Sequence, residues 1–218
     1  AVGSADTVPE AAGGGVDTLD YSAYGAAILV DLGLGTAPGT TGVTNIERVI
    51  GSNFSDTLRG TDGDDTFVLR DGWAADTVWD EIGPAAAEPD SDALDLSLVT
   101  RPLTFTFGGT GLVSVTDGTN SLSNAGWVEN LVGGRSDDVF VFADNWGAYT
   151  ITSAGLVDFD TLDFSAVTAD LTFTFHADGT VSVTDGTSRL GPSADIDNIV
   201  GGSGDNRFVF EDGGYLAG

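Results

Sequence analysis

Short runs of alternating hydrophobic and polar residues recur along the chain, and a turn sequence closes each run. In LTFTFGGTGLVSVT the hydrophobic side carries four residues: Phe105, Phe107, Val113 and Val115. Asp-Gly, Gly-Gly or Gly-x-Gly follows such runs and supplies the positive φ angles of tight turns. Because no long 3.6-residue periodicity survives among the 32 glycines, the pattern predicts an all-β fold.

The runs repeat at a fixed offset of 68 residues. The segment 103–119 returns as 171–187, and 128–142 returns as 196–210. A more divergent copy begins with DTLDYS at 17–22. A period of this length indicates stacked supersecondary units. We therefore predict a parallel β-solenoid, either a β-helix or a β-roll, over a Greek-key sandwich, which has similar strands but no such repeat.

The repeat also predicts the domain organisation. A Gly- and Ala-rich opening reads as a connector, and three modules follow: connector 1–16, module one 17–91, module two 92–159 and module three 160–218. Met is absent, so we expect a processed product or a part of a longer chain. Joining the last residue to the first of another copy continues the pattern, which predicts that copies follow one another head to tail.

Composition and charge argue against several classes of binding partner. Asp outnumbers Glu 28 to 6, Lys is absent and the net charge is −27. Asp favours turns and binds hard cations, whereas a chain this acidic is repelled by nucleic acid and by anionic membranes. No apolar run approaches the ~20 residues that span a bilayer, so membrane insertion is not expected. There is no Cys, which leaves neither disulfides nor thiolate metal sites.

Four nine-residue frames approximate the pattern G-G-x-G-x-D-x-U-x, where U is large and apolar. They are GSNFSDTLR (51–59), GTDGDDTFV (60–68), GGRSDDVFV (133–141) and GGSGDNRFV (201–209). The Gly-rich half suits a tight turn that exposes carbonyl groups, the sixth residue adds a carboxylate, and U enters the core. Two such turns stacked on each other can surround a calcium ion with oxygen ligands.

These frames resemble the hemolysin-type (RTX) calcium-binding repeats of secreted bacterial proteins, and the wider pattern resembles related modules of giant adhesins. The resemblance implies a right-handed parallel β-roll or β-helix, an extracellular place at the bacterial cell surface, and Ca²⁺ as cofactor. Seven aspartates are the candidate metal ligands: Asp56, Asp62, Asp64, Asp65, Asp137, Asp138 and Asp205. The sixth position of the last frame is Asn206. The alternative is that these residues only satisfy turns, as we expect for the aspartates of the DxLDxS segments.

Other candidate chemistry is sparse. His176 replaces Gly108 in the repeat and is expected to be a turn residue. The four tryptophans are expected in the core or in packing between coils, with sugar stacking as the alternative: Trp73, Trp79, Trp127 and Trp146. The sequence has no P-loop, nucleophile elbow or zinc-binding His pair, and we expect no enzyme.

Two functions stay open at this stage. The first is a structural segment of an extracellular bacterial filament, surface layer or adhesin stalk, which stacks head to tail with other copies and is stabilised by calcium. The second is a calcium-binding appendage, or a module that binds carbohydrate or a surface such as cell-surface glycans.

Overall fold

The computed structural model describes residues 6–11, 14–79, 91–109, 112–126, 128–155 and 158–216. The regular secondary structure of these residues is β-strand throughout, so the prediction of an all-β fold is confirmed. The strands are β1 (Asp6–Pro9), β2 (Thr18–Asp20), β3 (Leu29–Asp31), β4 (Thr40–Thr44), β5 (Arg48–Ile50), β6 (Thr57–Arg59), β7 (Thr66–Arg70), β8 (Ala75–Trp79), β9 (Ala93–Leu98), β10 (Thr104–Gly108), β11 (Leu112–Thr116), β12 (Ser121–Gly126), β13 (Asn130–Val132), β14 (Val139–Ala143), β15 (Ala148–Thr152), β16 (Thr161–Ala166), β17 (Leu171–Phe175), β18 (Val181–Thr184), β19 (Arg189–Ser193), β20 (Asn198–Val200) and β21 (Asn206–Phe210).

The chain alternates between two large sheets. The nine-stranded sheet has the order β20-β16-β14-β10-β11-β12-β8-β6-β3, and the ten-stranded sheet has the order β2-β5-β7-β9-β13-β15-β19-β18-β17-β21. Most neighbouring strands are parallel, as in the pairs β5–β7 and β14–β16. A separate parallel pair joins β1, within the segment predicted as a connector, to β4.

A single hydrophobic cluster lies between the two sheets. Rings from opposite sheets meet in it: Phe107 lies 4.8 Å from Tyr149, and Phe164 lies 5.5 Å from Phe173, measured between centroids. The four predicted inward residues of the LTFTF and LVSVT runs are all buried. Trp73 and Trp146 are also buried in this core, as predicted. Trp79 is only half-buried and lies outside the core, and Trp127 lies outside the described residues.

An aromatic ladder runs through the core along the direction of strand stacking. The ring of Phe142 lies 4.3 Å from the ring of Phe107 on one side and 4.3 Å from the ring of Phe164 on the other, nearly parallel to both. Phe105 stacks on Phe140 in the same way. In-register pairing places equivalent side chains one strand spacing apart, about 4.8 Å. Each such ring pair contributes about 0.5–1.5 kcal/mol beyond the area that it buries.

Two three-stranded meanders interrupt the parallel pairing, which differs from the expectation of a purely parallel stack. β10, β11 and β12 are antiparallel, and so are β17, β18 and β19. The short turns at Asp117-Gly118 and Asp185-Gly186 explain the difference, because parallel strands need a longer crossover. Both glycines have positive φ, which a tight turn requires.

Equivalent strands of the two 68-residue repeats lie in opposite sheets. From the first meander the chain passes through β13, β14, β15 and β16 to the second meander and changes sheet five times. Because this number is odd, the first meander belongs to the nine-stranded sheet and the second to the ten-stranded sheet. Each large sheet therefore contains one of the two meanders.

Candidate functional site

The sixth residue of each frame closes the turn that leads into its strand. The Asp56 carboxylate accepts hydrogen bonds from the N–H of Ser52 (2.6 Å), the hydroxyl of Ser52 (2.8 Å) and the N–H of Ile28 (2.9 Å). Asp56 is buried. The glycine-rich segment can turn tightly because this carboxylate binds amides that would otherwise be buried without an acceptor.

The other frames repeat this geometry. Asp138 accepts the N–H of Gly134 at 2.6 Å and the N–H of Leu103 at 2.8 Å. Asp65 accepts the N–H and the hydroxyl of Thr61 at 2.6 and 2.9 Å. In the last frame the Asn206 side chain accepts the N–H of Gly202 at 3.2 Å. The contact between the second and sixth residues of the frame therefore does not need a negative charge.

A second set of hydrogen bonds connects these turns from strand to strand. Each frame aspartate donates its own backbone N–H to an acidic side chain at the start of the next strand in its sheet. The bonds are Asp56 to Asp76 (2.8 Å), Asp65 to Asp92 (2.7 Å), Asp138 to Asp160 (2.7 Å) and, one step further, Asp160 to Asp197 (2.8 Å). We call this series the acid–amide ladder. It gives Asp92 and Asp160, the first residues of DxLDxS segments, the turn role that was expected for them.

Burial perturbs the ladder carboxyls. It raises the pKa of Asp76 to about 8, with a smaller contribution from the neighbouring Asp56. It raises the pKa of Asp138 to about 7, although the amides of Leu103 and Gly134 act in the opposite direction. Burial also raises the pKa of Asp160. These carboxyl groups therefore lose their protons at a higher pH than exposed aspartates do, since desolvation disfavours the charged form of a carboxyl group.

The remaining predicted ligands lie beside the ladder. Asp64 accepts the N–H of Ser91 at 2.9 Å, and Asp137 accepts the N–H of Phe159 at 3.0 Å. Asp205 donates its backbone N–H to Asp170 at 2.8 Å.

An open groove of about 460 Å³ brings together two of the predicted ligands, Asp62 and Asp64, with Glu47. Glu47 is itself engaged there, since its carboxylate accepts the N–H of Asp17 at 2.9 Å.

The buried frame aspartates and the two aspartates of the groove differ in how well they can bind calcium. The carboxylates of Asp56 and Asp138 already accept backbone N–H groups with both oxygens, so in this arrangement they do not fit as primary ligands. Asp62 and Asp64 offer the oxygen donors that calcium prefers. Among the described residues no three His, Cys, Asp or Glu side chains form a group that could hold a metal ion. Calcium binding therefore stays a prediction for the tandem frames 51–68, within which Asp62 and Asp64 of the groove fit better than Asp56.

Sequence reasoning missed Asp76 and a pair of outward-facing caps. Asp71 accepts the N–H and hydroxyl of Thr100, and Asp144 accepts those of Thr168, at 2.7–2.9 Å. The sequence signal for the caps is the recurrence of Asp-x-Trp, in DGW and DNW. These two segments are not 68 residues apart, so a comparison at the repeat offset does not bring them together. The nine-residue frame pattern gives no signal for Asp76, because Asp76 is the second residue of β8 and no Gly-rich turn of that pattern leads into this strand.

The last strands of the two sheets form a C-terminal end face, which we define by Val200 in β20 and Phe208 and Phe210 in β21. Phe208 is 52% exposed and Phe210 is 63% exposed. Their equivalents Phe140 and Phe142 are completely buried. The cause is one-sided packing: β14 lies between β10 and β16, whereas β21, within the described part of the chain, pairs with β17 alone.

Comparisons of the chain with protein-family models and with curated proteins find no match. In the described part of the chain no helix is long and apolar enough to cross a membrane. The turns of the acid–amide ladder and the C-terminal end face are thus the features from which a function can be inferred.

Proposed function

We propose that this chain is a segment of a parallel β-solenoid with a structural role, in an extracellular bacterial filament, surface layer or adhesin stalk. The observation that carries the proposal is the repetition of one stacking unit. The same strand pairing, ring stacking and amide-to-carboxylate bond recur at successive steps along the two sheets. Such a unit can be extended without a new kind of contact.

The alternation of the chain between two sheets supports the solenoid. β5, β7 and β9 are neighbours in one sheet, while β6 and β8, which lie between them in the chain, are neighbours in the other. Each residue of the stack therefore contacts mainly the strand before and the strand after it. Stability in such an array depends on nearest neighbours, and length can grow without a larger core.

The state of the buried acids favours a structural role over a catalytic one. Asp76, Asp138 and Asp160 are inaccessible to solvent and bind backbone amides, an arrangement that stabilises turns and does not present a group to a substrate. The hydrophobic space between the sheets is filled by side chains. These features suit a load-bearing rod.

The acidic surface fits an extracellular polymer. With a net charge of −27, neighbouring rods repel each other laterally, which keeps fibres dispersed. Calcium, in this proposal, binds at the groove of Asp62 and Asp64 and reduces repulsion between carboxylates. Glu47 also lines this groove, where its carboxylate accepts the N–H of Asp17.

A covalent tandem of two copies tests the structural role. Ten strands about 4.8 Å apart span roughly 45 Å, so the tandem should form a rod about twice as long as one copy. Small-angle X-ray scattering measures the length, and thermal unfolding measures the coupling between copies. We expect a longer rod and a higher unfolding midpoint than for the single copy. Two independently tumbling units with an unchanged midpoint would contradict the proposal.

A further inference from the structure

We infer that the C-terminal end face binds the N-terminal strands of a second copy of this chain, with β21 pairing in parallel to β2 and β20 pairing in parallel to β1. This inference rests on the proposed function and specifies the partner surface and its register. The structure contains two internal junctions of the same kind, one between modules one and two (β7 with β9) and one between modules two and three (β14 with β16).

The two internal junctions define the register of the first strand pair, β21 with β2. At the later junction β14 pairs with β16 and Phe140 faces Leu162; at the earlier one β7 pairs with β9 and Phe67 faces Leu94. β9 and β16 begin with DALDLS and DTLDFS, and β2 belongs to the equivalent DTLDYS. β21 carries the equivalent of Phe140. The same register therefore places Phe208 opposite Leu19 of the second copy.

The backbone of β2 is available for this pairing. In the internal junctions the N–H groups of Ala93 and Thr161 donate to the carbonyls of Asp65 and Asp138, at 2.8 and 2.9 Å. The equivalent N–H belongs to Thr18. The bonds between β2 and β5 use the carbonyl of Asp17 and the N–H of Tyr21, and within the described residues β2 is the terminal strand of its sheet.

The second strand pair follows from β1. Residues 5–8 read ADTV, as do residues 75–78 in β8, and β1 pairs with β4 in parallel as β8 does with β12. The other edge of β8 pairs with β6, and at the later junction β15 pairs with β13. β20 is the equivalent of β13. Pro9, at the position of Trp79, lacks an N–H, so this pair is one hydrogen bond shorter than its templates.

The register of the internal junctions also pairs apolar side chains across the contact. Phe142 stacks on Phe164 at 4.3 Å, and the same register stacks Phe210 on Tyr21 of the second copy. In a single copy Tyr21 is only 8% exposed and its hydroxyl donates to the carbonyl of Pro38, so the groups that cover its ring must move aside for this stacking. The contact covers the apolar rings of Phe208 and Phe210, which are 52% and 63% exposed within the described part of one copy.

The acid–amide ladder also continues across the junction. The N–H of Asp65 donates to Asp92 and the N–H of Asp138 donates to Asp160. The corresponding donor on the end face is the N–H of Asn206, and the corresponding acceptor is the Asp17 carboxylate of the second copy. Because the two faces differ, the contact is heterologous and does not close on itself, which yields a filament.

Three variants of the full chain test the inference by sedimentation equilibrium and electron microscopy. Phe208→Asp/Phe210→Asp places charge on the C-terminal end face. Thr18→Pro removes the outward N–H of β2 and leaves its bonds to β5. Phe159→Asp is the matched control, since Phe159 is also 63% exposed but lies in the loop between β15 and β16. Circular dichroism and thermal unfolding verify that each variant is folded.

We expect wild type and Phe159→Asp to form head-to-tail oligomers and thin filaments, whose mass exceeds the 22.2 kDa of one copy. Phe208→Asp/Phe210→Asp and Thr18→Pro should each stay monomeric. Their equimolar mixture should form a dimer and nothing larger, because the first variant keeps an intact β2 edge and the second keeps an intact C-terminal end face. Dimerisation of Thr18→Pro alone would show a tail-to-tail contact and overturn the inference.

A failure to restore the dimer in the mixture would also overturn it. So would a monomeric wild type at all concentrations, including one in which Phe208 and Phe210 instead bind a soluble glycan. The covalent tandem separates this failure from that of the proposed function: a long, more stable tandem beside a monomeric single copy removes association between free chains and keeps the structural role.

Discussion

Phe140 and Phe208 occupy equivalent positions 68 residues apart, yet they lie in opposite sheets, one fully buried and the other 52% exposed. The sequence around them is almost the same, VGGRSDDVFVF and VGGSGDNRFVF. What differs is the strand beyond: β16 covers Phe140, and no described strand covers Phe208. Exposure here depends on position in the stack and not on the residue.

Truncation of two equivalent phenylalanines should have unequal effects on stability. Phe142 is buried between two stacked rings, so Phe142→Ala should lower the free energy of unfolding by about 3–5 kcal/mol. Phe210 contacts the ring of Phe175 on one side only, so Phe210→Ala should cost about 1 kcal/mol or less in the monomer. Urea denaturation of both variants provides the comparison, and equal losses would mean that the end of the stack is covered in solution.

Substitutions at Asp138 should separate a turn role from a charge role. Asp138→Ala leaves the buried N–H groups of Leu103 and Gly134 without acceptors, at about 1–3 kcal/mol each. Asp138→Asn should lose about half as much, because its single amide oxygen can keep the N–H of Gly134, as Asn206 keeps that of Gly202, while the N–H of Leu103 loses its acceptor. The measurement is the free energy of unfolding in a chelator. If Asn is as damaging as Ala, the carboxylate charge itself is required.

Stability should fall as the pH rises from about 5 to about 8. Burial raises the pKa of Asp76 to about 8 from an ordinary value of 3.8, so the folded state binds this proton more tightly than the unfolded state. The resulting stabilisation is complete below pH 4 and is lost as the pH passes through 8. Each such group adds up to about 1.4 kcal/mol per pH unit to the slope.

Asp76→Asn checks this origin of the slope, because the side-chain oxygen can still accept the N–H of Asp56 while titration is abolished. Unfolding free energies between pH 5 and 9 should depend less on pH in this variant than in wild type. Asp178→Asn is the control: Asp178 is exposed, and hydrogen bonds from Thr180 lower its pKa, so it stays ionised over this range. An unchanged slope in Asp76→Asn would mean that Asp76 is ionised in the folded protein.

Calcium should raise the unfolding midpoint through the groove at the 60–68 frame. At about ten times the Kd of a weak extracellular site, the stabilisation is about 1.4 kcal/mol. Asp62→Asn/Asp64→Asn should abolish the shift, whereas Asp137→Asn should preserve it, since Asp137 does not line this groove. Calorimetric scans with calcium and with chelator decide this. A shift that survives the double variant would place calcium elsewhere.

The sequence by itself determined the all-β class, the repeat and the inward residues. Alternation places Phe105, Phe107, Val113 and Val115 on one side of their strands whatever the partners of those strands are, because the side-chain period of a strand is two. The Gly- and Asp-rich frames likewise specified turns, since positive φ and side-chain acceptors act within a few residues. Features that depend only on residues a few positions apart can therefore be predicted from the sequence alone.

Only the tertiary structure decided which sheet each strand joins and what each carboxylate binds. The odd number of sheet changes per repeat, the antiparallel meanders and the 20- to 27-residue reach from Asp56 to Asp76 and from Asp65 to Asp92 depend on how strands stack. The same frame can close a turn or hold a cation, and the choice rests on which amides the neighbouring strand brings to the carboxylate. Those amides come from distant parts of the chain, and the motif does not specify them.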